Sequence, residues 1–222
     1  MFRSSFHAIC LLALLSTSAA LASPITVVSV SNANPLTGGG VVSSGNYLQA
    51  SWSEVRSYTG VDISAWLFGT IVDGSYLPTS GTAYLTSTSL GTPLQQSFTF
   101  PDPIGAEATD VSLFSNLQLL PGTYYLTLAS TSPYGGGWAD SLENGGGVQT
   151  LLDSGVALGI PQFAQGVNVN SSDPPASLFT SVAPTSDQLF FSVTAVPEPS
   201  SIMLVGTTSI GLLLQLRLRK RA

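Results

Sequence analysis

The sequence predicts an all-β protein, a β-sandwich of jelly-roll-like type, flanked by two segments directed at a membrane. Three observations carry this. Short runs of alternating apolar and polar residues recur between Gly- and Pro-rich turns. No long stretch of the central region holds a helical period. Only 8% of the 222 residues are charged, while 44% are hydrophobic, with 22 Gly and 14 Pro. That composition suits an extracellular β protein.

Taken in order, residues 1–22 read as a secretory signal peptide. Arg3 supplies the positive start, and Ala8 to Leu15 is a short apolar stretch. Ala20-Leu21-Ala22 is a small-x-small cleavage box, so cutting is expected between Ala22 and Ser23. The apolar stretch is much shorter than the ~20 residues of a membrane span. Residues 23–195 are expected to form the exported sandwich domain, long enough for a core of its own.

Strands are expected at Ile25 to Val30, Tyr47 to Trp52, Val61 to Val72, Ala83 to Ser87 and Gln95 to Phe100. Each shows β-branched enrichment or strict alternation. In Val61 to Val72, for example, Ile63, Ala65 and Leu67 alternate with Ser64, Trp66 and Phe68. Gly38-Gly39-Gly40, Ser44-Gly45-Asn46, Asp73-Gly74 and Pro101-Asp102-Pro103 read as turns or loops between them. Leu77-Pro78-Thr79-Ser80-Gly81 approximates a sortase motif, but it stands mid-chain with no anchor after it and reads as a turn.

Val111 to Ser130 gives the clearest local signal. Pro121 presets φ for the second position of a type II turn, and Gly122 supplies the positive φ of the third. A hairpin is expected, with Tyr124, Leu126 and Leu128 on one face of its second strand. Pro133 to Gly147 reads as a loop with two Gly triplets. Val148 to Leu152 and Val156 to Ile160 are short strand candidates. Asn168 to Pro184 is polar and Pro-broken. Leu189 to Ala195 is the final strand, with Leu189, Phe191, Val193 and Ala195 on one face.

Charge and residue counts exclude much chemistry. Residues 23–195 hold one basic residue, Arg56, against eleven acidic ones, a net charge of −10. Such a surface repels phosphate backbones, so no nucleic-acid partner is expected. The one Cys and the one His, Cys10 and His7, both lie in the leader. The exported part thus lacks thiol nucleophiles, disulfides, Ser-His-Asp triads, nitrogen or sulfur zinc ligands and catalytic lysines.

What remains are carboxylates. Asp140, Glu143 and Asp153, with Trp138 as an aromatic platform, form the best candidate ligand site. Paired carboxylates beside an aromatic ring suit a sugar cleft or a glycosidase. Oxygen ligands alone would suit Ca2+, and no other cofactor or metal is expected. Asp102, Glu107 and Asp110 form a second acidic loop, and neither group has the spacing of an EF-hand. The Gly triplets at 38–40, 135–137 and 145–147 are followed by no Lys-Ser or Lys-Thr, so they read as flexible loops rather than phosphate cradles. Trp52, Trp66, Tyr124 and Phe191 read as core.

The stretch after the last strand is different in kind. Val196-Pro197-Glu198-Pro199 is followed by an apolar run, Ser200 to Leu216, and then by Arg217, Arg219, Lys220 and Arg221. As a helix the run is roughly 25 Å long at ~1.5 Å per residue. Against a hydrocarbon core of about 30 Å, that is at the short end of spanning length. The basic cluster would stay cytoplasmic and stop transfer there.

This three-part pattern over 196–222 resembles the PEP-CTERM sorting signal. The resemblance implies recognition by an exosortase-type membrane protease and processing near Pro197-Glu198-Pro199. It also implies export through the inner membrane, a transient anchor through the C-terminal helix, and then the cell surface or medium. Association with exopolysaccharide and biofilm matrix is implied too. The expected function is a non-enzymatic surface or matrix protein. The alternatives are a carbohydrate-binding module built on Trp138, or an extracellular glycoside hydrolase using Glu143 with Asp140 or Asp153.

Overall fold

A computed structural model of the chain describes residues 23–32, 38–87, 90, 92–102, 107–141, 147–152, 154–160, 162–165 and 188–196. Ile25–Val196 form one compact unit. Among the described residues fourteen strands follow in chain order: β1 Ile25–Ser31, β2 Gly39–Val42, β3 Asn46–Glu54, β4 Tyr58–Val72, β5 Ser75–Leu77, β6 Ser80–Ser87 and β7 Leu94–Thr99. Then come β8 Thr109–Leu119, β9 Gly122–Ala129, β10 Gly136–Ala139, β11 Val148–Leu151, β12 Val156–Leu158, β13 Gln162–Gln165 and β14 Phe191–Val196.

They form two antiparallel sheets facing each other across one core, the expected all-β sandwich. The first sheet runs β11-β1-β14-β4-β10-β2, with β5 and β8 also on β4. The second runs β12-β3-β9-β6-β7, with β13 also on β3. The fifteen-residue β4 is the spine of the first sheet, because its length lets it pair with β14, β10, β8 and β5. Its alternation is the expected one: Val61, Ile63, Ala65 and Leu67 are buried between Asp62, Ser64, Trp66 and Phe68. At its far end Asp73 and Gly74 both take positive φ, 51° and 77°. This is the two-residue turn that joins β4 to β5 with the twist a hairpin needs. Leu77 to Gly81 is the link from β5 into β6.

Two expectations fail. Val111 to Ser130 is not a hairpin. β8 pairs with β4 in the first sheet, and β9 pairs with β3 and β6 in the second. The Leu120-Pro121 turn therefore carries the chain across the core. Tyr124 secures that crossing. Its hydroxyl donates to the Leu120 carbonyl at 2.6 Å and accepts from the Leu120 amide at 2.8 Å. This is a tyrosine corner, the device that ties sheet-to-sheet corners in Greek-key sandwiches.

The Gly triplets at 38–40 and 135–137 are also not simple loops. Gly39, Gly40, Gly136 and Gly137 belong to β2 and β10, which pair with each other, and β10 packs on against β4. The reason is close approach rather than conformational freedom. A Cβ at Gly137 would lie 2.0 Å from the Phe68 ring, and one at Gly39 would lie 2.0 Å from the Trp138 carbonyl oxygen. Strand glycines of this kind mark places where another group comes too near for a side chain.

The core is aromatic at its centre. Trp52 on β3 stacks on Tyr124 at 5.6 Å and 18°, and meets Phe191 of the opposite sheet at 5.5 Å. All three are buried, as expected for core residues, whereas Trp66 is half-buried. Two residues beyond Trp52, on the same face, Glu54 is only 3% exposed. Neither of its carboxylate oxygens has a hydrogen-bond partner among the described residues. Burial pushes its pKa from 4.5 up to about 7, since a desolvated carboxyl keeps its proton.

Two predictions arise here. Tyr124→Phe keeps the ring stack but removes both corner bonds, so urea denaturation should show a loss of about 1–2 kcal/mol. An unchanged midpoint would mean that the corner bears no load. For Glu54, the folded state holds its proton between pH 4.5 and about 7 while the unfolded chain has released it. Stability should therefore fall as pH rises through that window and level off above it. The fall should be about 2 kcal/mol, less than the full shift because Glu54 ends its strand beside exposed Val55 and Arg56. Glu54→Gln should abolish this slope, and a slope that persists in the variant would assign it to another group.

Candidate functional site

β14 brings the chain to the sorting motif. It lies inside the first sheet, between β1 and β4. Its alternation buries Phe191, Val193 and Ala195, as expected, and Leu189 just before it is buried too. Val196, the first residue of the motif, is still strand: it pairs with Thr59 and is 41% exposed. Gly60 opposite takes φ +56°, and a Cβ there would come within 3.1 Å of Val196 Cγ2. Ile25 pairs with Ala195, so the start of β1 and the end of β14 lie side by side. Ser23 is exposed two residues before β1.

Ala22, Pro197, Glu198, Pro199, Arg217, Arg219, Lys220 and Arg221 lie outside the described residues. So do the leader and the expected span from Ser200 to Leu216. Among the described residues no helix is long and apolar enough to cross a membrane.

The candidate ligand site is only partly visible. Trp138 is on β10 and fully buried, with its indole Nε1–H donating to the Phe190 carbonyl at 2.8 Å. In register with Leu67, it faces the core. An aromatic platform for a sugar needs an open ring face, and Trp138 offers none. Its sequence context, a Gly-rich stretch, suggested a loop, whereas the glycines are there to seat it in a sheet. Asp140 is 6% exposed and forms a bridge with Leu189. Glu143 and Asp153 lie outside the described residues.

Of the second acidic group, Asp102, Glu107 and Asp110 are all exposed, but Asp110 is not in a loop: it lies in β8, paired with Trp66. Asp102 acts on a neighbour: burial and then its negative charge raise the pKa of Tyr76. The Tyr76 hydroxyl donates to the Phe100 carbonyl, which holds the neutral form in use. Among the described residues no three of His, Cys, Asp and Glu are grouped to hold a metal ion.

One concave feature had no counterpart in the sequence reading. On the outer face of the second sheet a groove of about 210 Å3 is lined by Tyr47, Tyr84, Ala129 and a set of hydroxyl residues. Beside it, Gln49 Nε2 donates to Thr127 Oγ1 at 2.8 Å. The lining comes from β3, β6, β7 and β9 and from the residues just after β9, so no local motif could announce it.

No curated protein matches this chain. Residues 195–220 match the family described as the PEP-CTERM protein-sorting motif. The match begins at Ala195, inside β14, and runs through the Pro-Glu-Pro triplet and the apolar stretch into the basic cluster. Such a motif implies an exosortase-type processing partner in the membrane. It also implies export with transient anchoring before release at the surface or outside the cell. The chain thus carries, over residues 195–220, a match to the PEP-CTERM protein-sorting motif.

Proposed function

We propose that this protein is a non-enzymatic component of the cell surface or extracellular matrix, associated with exopolysaccharide. In this reading residues 1–22 are removed after export and 23–195 form the working domain. Residues 196–222 serve as a removable membrane handle. The observation that supports it best is the place of β14. An interior strand that ends at Val196 allows a cut within Pro197-Glu198-Pro199 to release a complete sheet. A cut a few residues earlier would strip a strand bonded on both sides, and with it Phe191 from the aromatic centre.

Both chain ends leave the domain together, because Ile25 and Ala195 are partners. The acidic surface suits solubility outside the cell and discourages contact with anionic polymers.

Deleting residues 197–222 tests the reading. The truncated chain should fold and cross the membrane, lose the membrane-bound precursor stage, and miss the envelope fraction occupied by the parent. If it reaches the same fraction with the same processing, the tail is not what sorts it. The Glu198→Ala variant should accumulate the larger, membrane-bound form in the same fractionation.

A further inference from the structure

We propose that the groove on the outer face of the second sheet is a binding site for an uncharged, hydroxyl-rich glycan chain, read mainly by Tyr84. The proposal builds on the polysaccharide association above and gives it a place. Four features point to it. The first is chemistry. The groove carries the hydroxyls of Ser80, Thr82, Ser97, Ser130 and Thr131, with the ring of Tyr84 half-open beside them. Hydroxyls that both donate and accept match the hydroxyls of a sugar, and a tyrosine offers an apolar ring with a polar tip.

The second is availability. Ser130 is committed to the fold, donating to the Ser80 carbonyl at 2.8 Å. The hydroxyls of Thr82, Tyr84 and Ser97 have no partner among the described residues. Register sets these three together: Thr82 faces Ser97 across β6 and β7, and Tyr84 faces the exposed Gln95.

The third is charge. No lining residue is charged, in a domain of net charge −10. An anionic polymer would be repelled by the domain as a whole, and a cationic one finds no carboxylate in the groove. A neutral chain meets neither obstacle. The volume agrees: about 210 Å3 is below the roughly 300–1,000 Å3 of a pocket that engulfs a small ligand. It fits a short stretch of a chain that continues past both ends.

The fourth is position. Val196 pairs with Thr59, and Tyr58 with Leu119, so the chain exits at the end of the sandwich that holds the Leu120-Pro121 turn. On the second sheet that end is marked by Glu54 opposite Gly122. The groove lies at the other end of the same strands, where Tyr47 is the second residue of β3 and Ala129 closes β9. Within the domain, the groove and Val196 therefore lie at opposite ends of the strands.

Affinity electrophoresis of the full chain in detergent tests the proposal, with hydroxyethyl cellulose as the neutral probe and alginate as the anionic control. The neutral polymer should retard the parent chain and alginate should not. Tyr84→Ala should weaken the retardation about tenfold, the loss of one good contact. Ser97→Glu, an exposed substitution that leaves the core untouched, should do the same by placing a charge in the groove. Tyr134→Ala, at a tyrosine 52% exposed outside the groove, should leave it unchanged. If the parent is retarded but Tyr84→Ala and Ser97→Glu are retarded equally, the groove is not the site, while the polysaccharide reading stands. If alginate alone retards the parent, the neutral-glycan proposal is overturned and an anionic polysaccharide takes its place. If neither polymer does, the proposal and the polysaccharide reading fall together, and the sorting account remains.

Discussion

The sandwich depends on one aromatic contact made from three directions. Trp52 stands on β3, Tyr124 on β9 beside it and Phe191 on β14 across the core. Each of these residues has a second task. Tyr124 closes the corner where the chain changes sheets. Phe191 opens the last strand. Trp52 leads to Glu54, among the described residues the one buried glutamate, whose proton is held by the same dry environment. Buried aromatic rings contribute large apolar areas and a directional stack besides. In a domain with no disulfide to staple it, that contact carries the joining of the two sheets.

The constraint extends to the chain ends. Because β14 supplies Phe191 and sits between β1 and β4, the fold closes only when the last residues before the sorting motif are in place. The sheet that holds the chain end is also the sheet that starts the chain, through Ile25 and Ala195. Export logic and folding logic therefore meet at Val196. A tail that begins where the last strand ends can be removed without cost to the sheet.

Some of this was legible in the sequence and some was not. The alternation in Val61 to Val72 and in Leu189 to Ala195 announced strands with one buried face, because a period of two survives any topology. A bend at Pro121 was legible, but not its form: Gly122 does not take the positive φ expected of a type II turn and already belongs to β9, and local chemistry does not say whether the next strand pairs with the last or crosses the core. Only the Tyr124 hydroxyl, four residues from Leu120, held a hint of the crossing. Gly136 and Gly137 were misread because glycine has low strand preference by itself. Their reason is the Phe68 and Phe100 rings lying against them, from strands distant in sequence. Trp138 was misread with them: a tryptophan in a Gly-rich stretch looks open until its neighbours prove to be a sheet. The groove could not be read at all, since Tyr47, Tyr84 and Thr131 meet only through the order of the second sheet. The sorting motif was fully legible, because it acts as a linear signal and needs no fold.

The most direct measurement is the intact mass of the mature protein recovered from the cell surface and medium. A chain that starts at Ser23 and ends at Val196 or within the Pro-Glu-Pro triplet is expected, a complete sandwich freed of its handle. A mature chain that still ends at Ala222, or one that ends before Phe191, would contradict it.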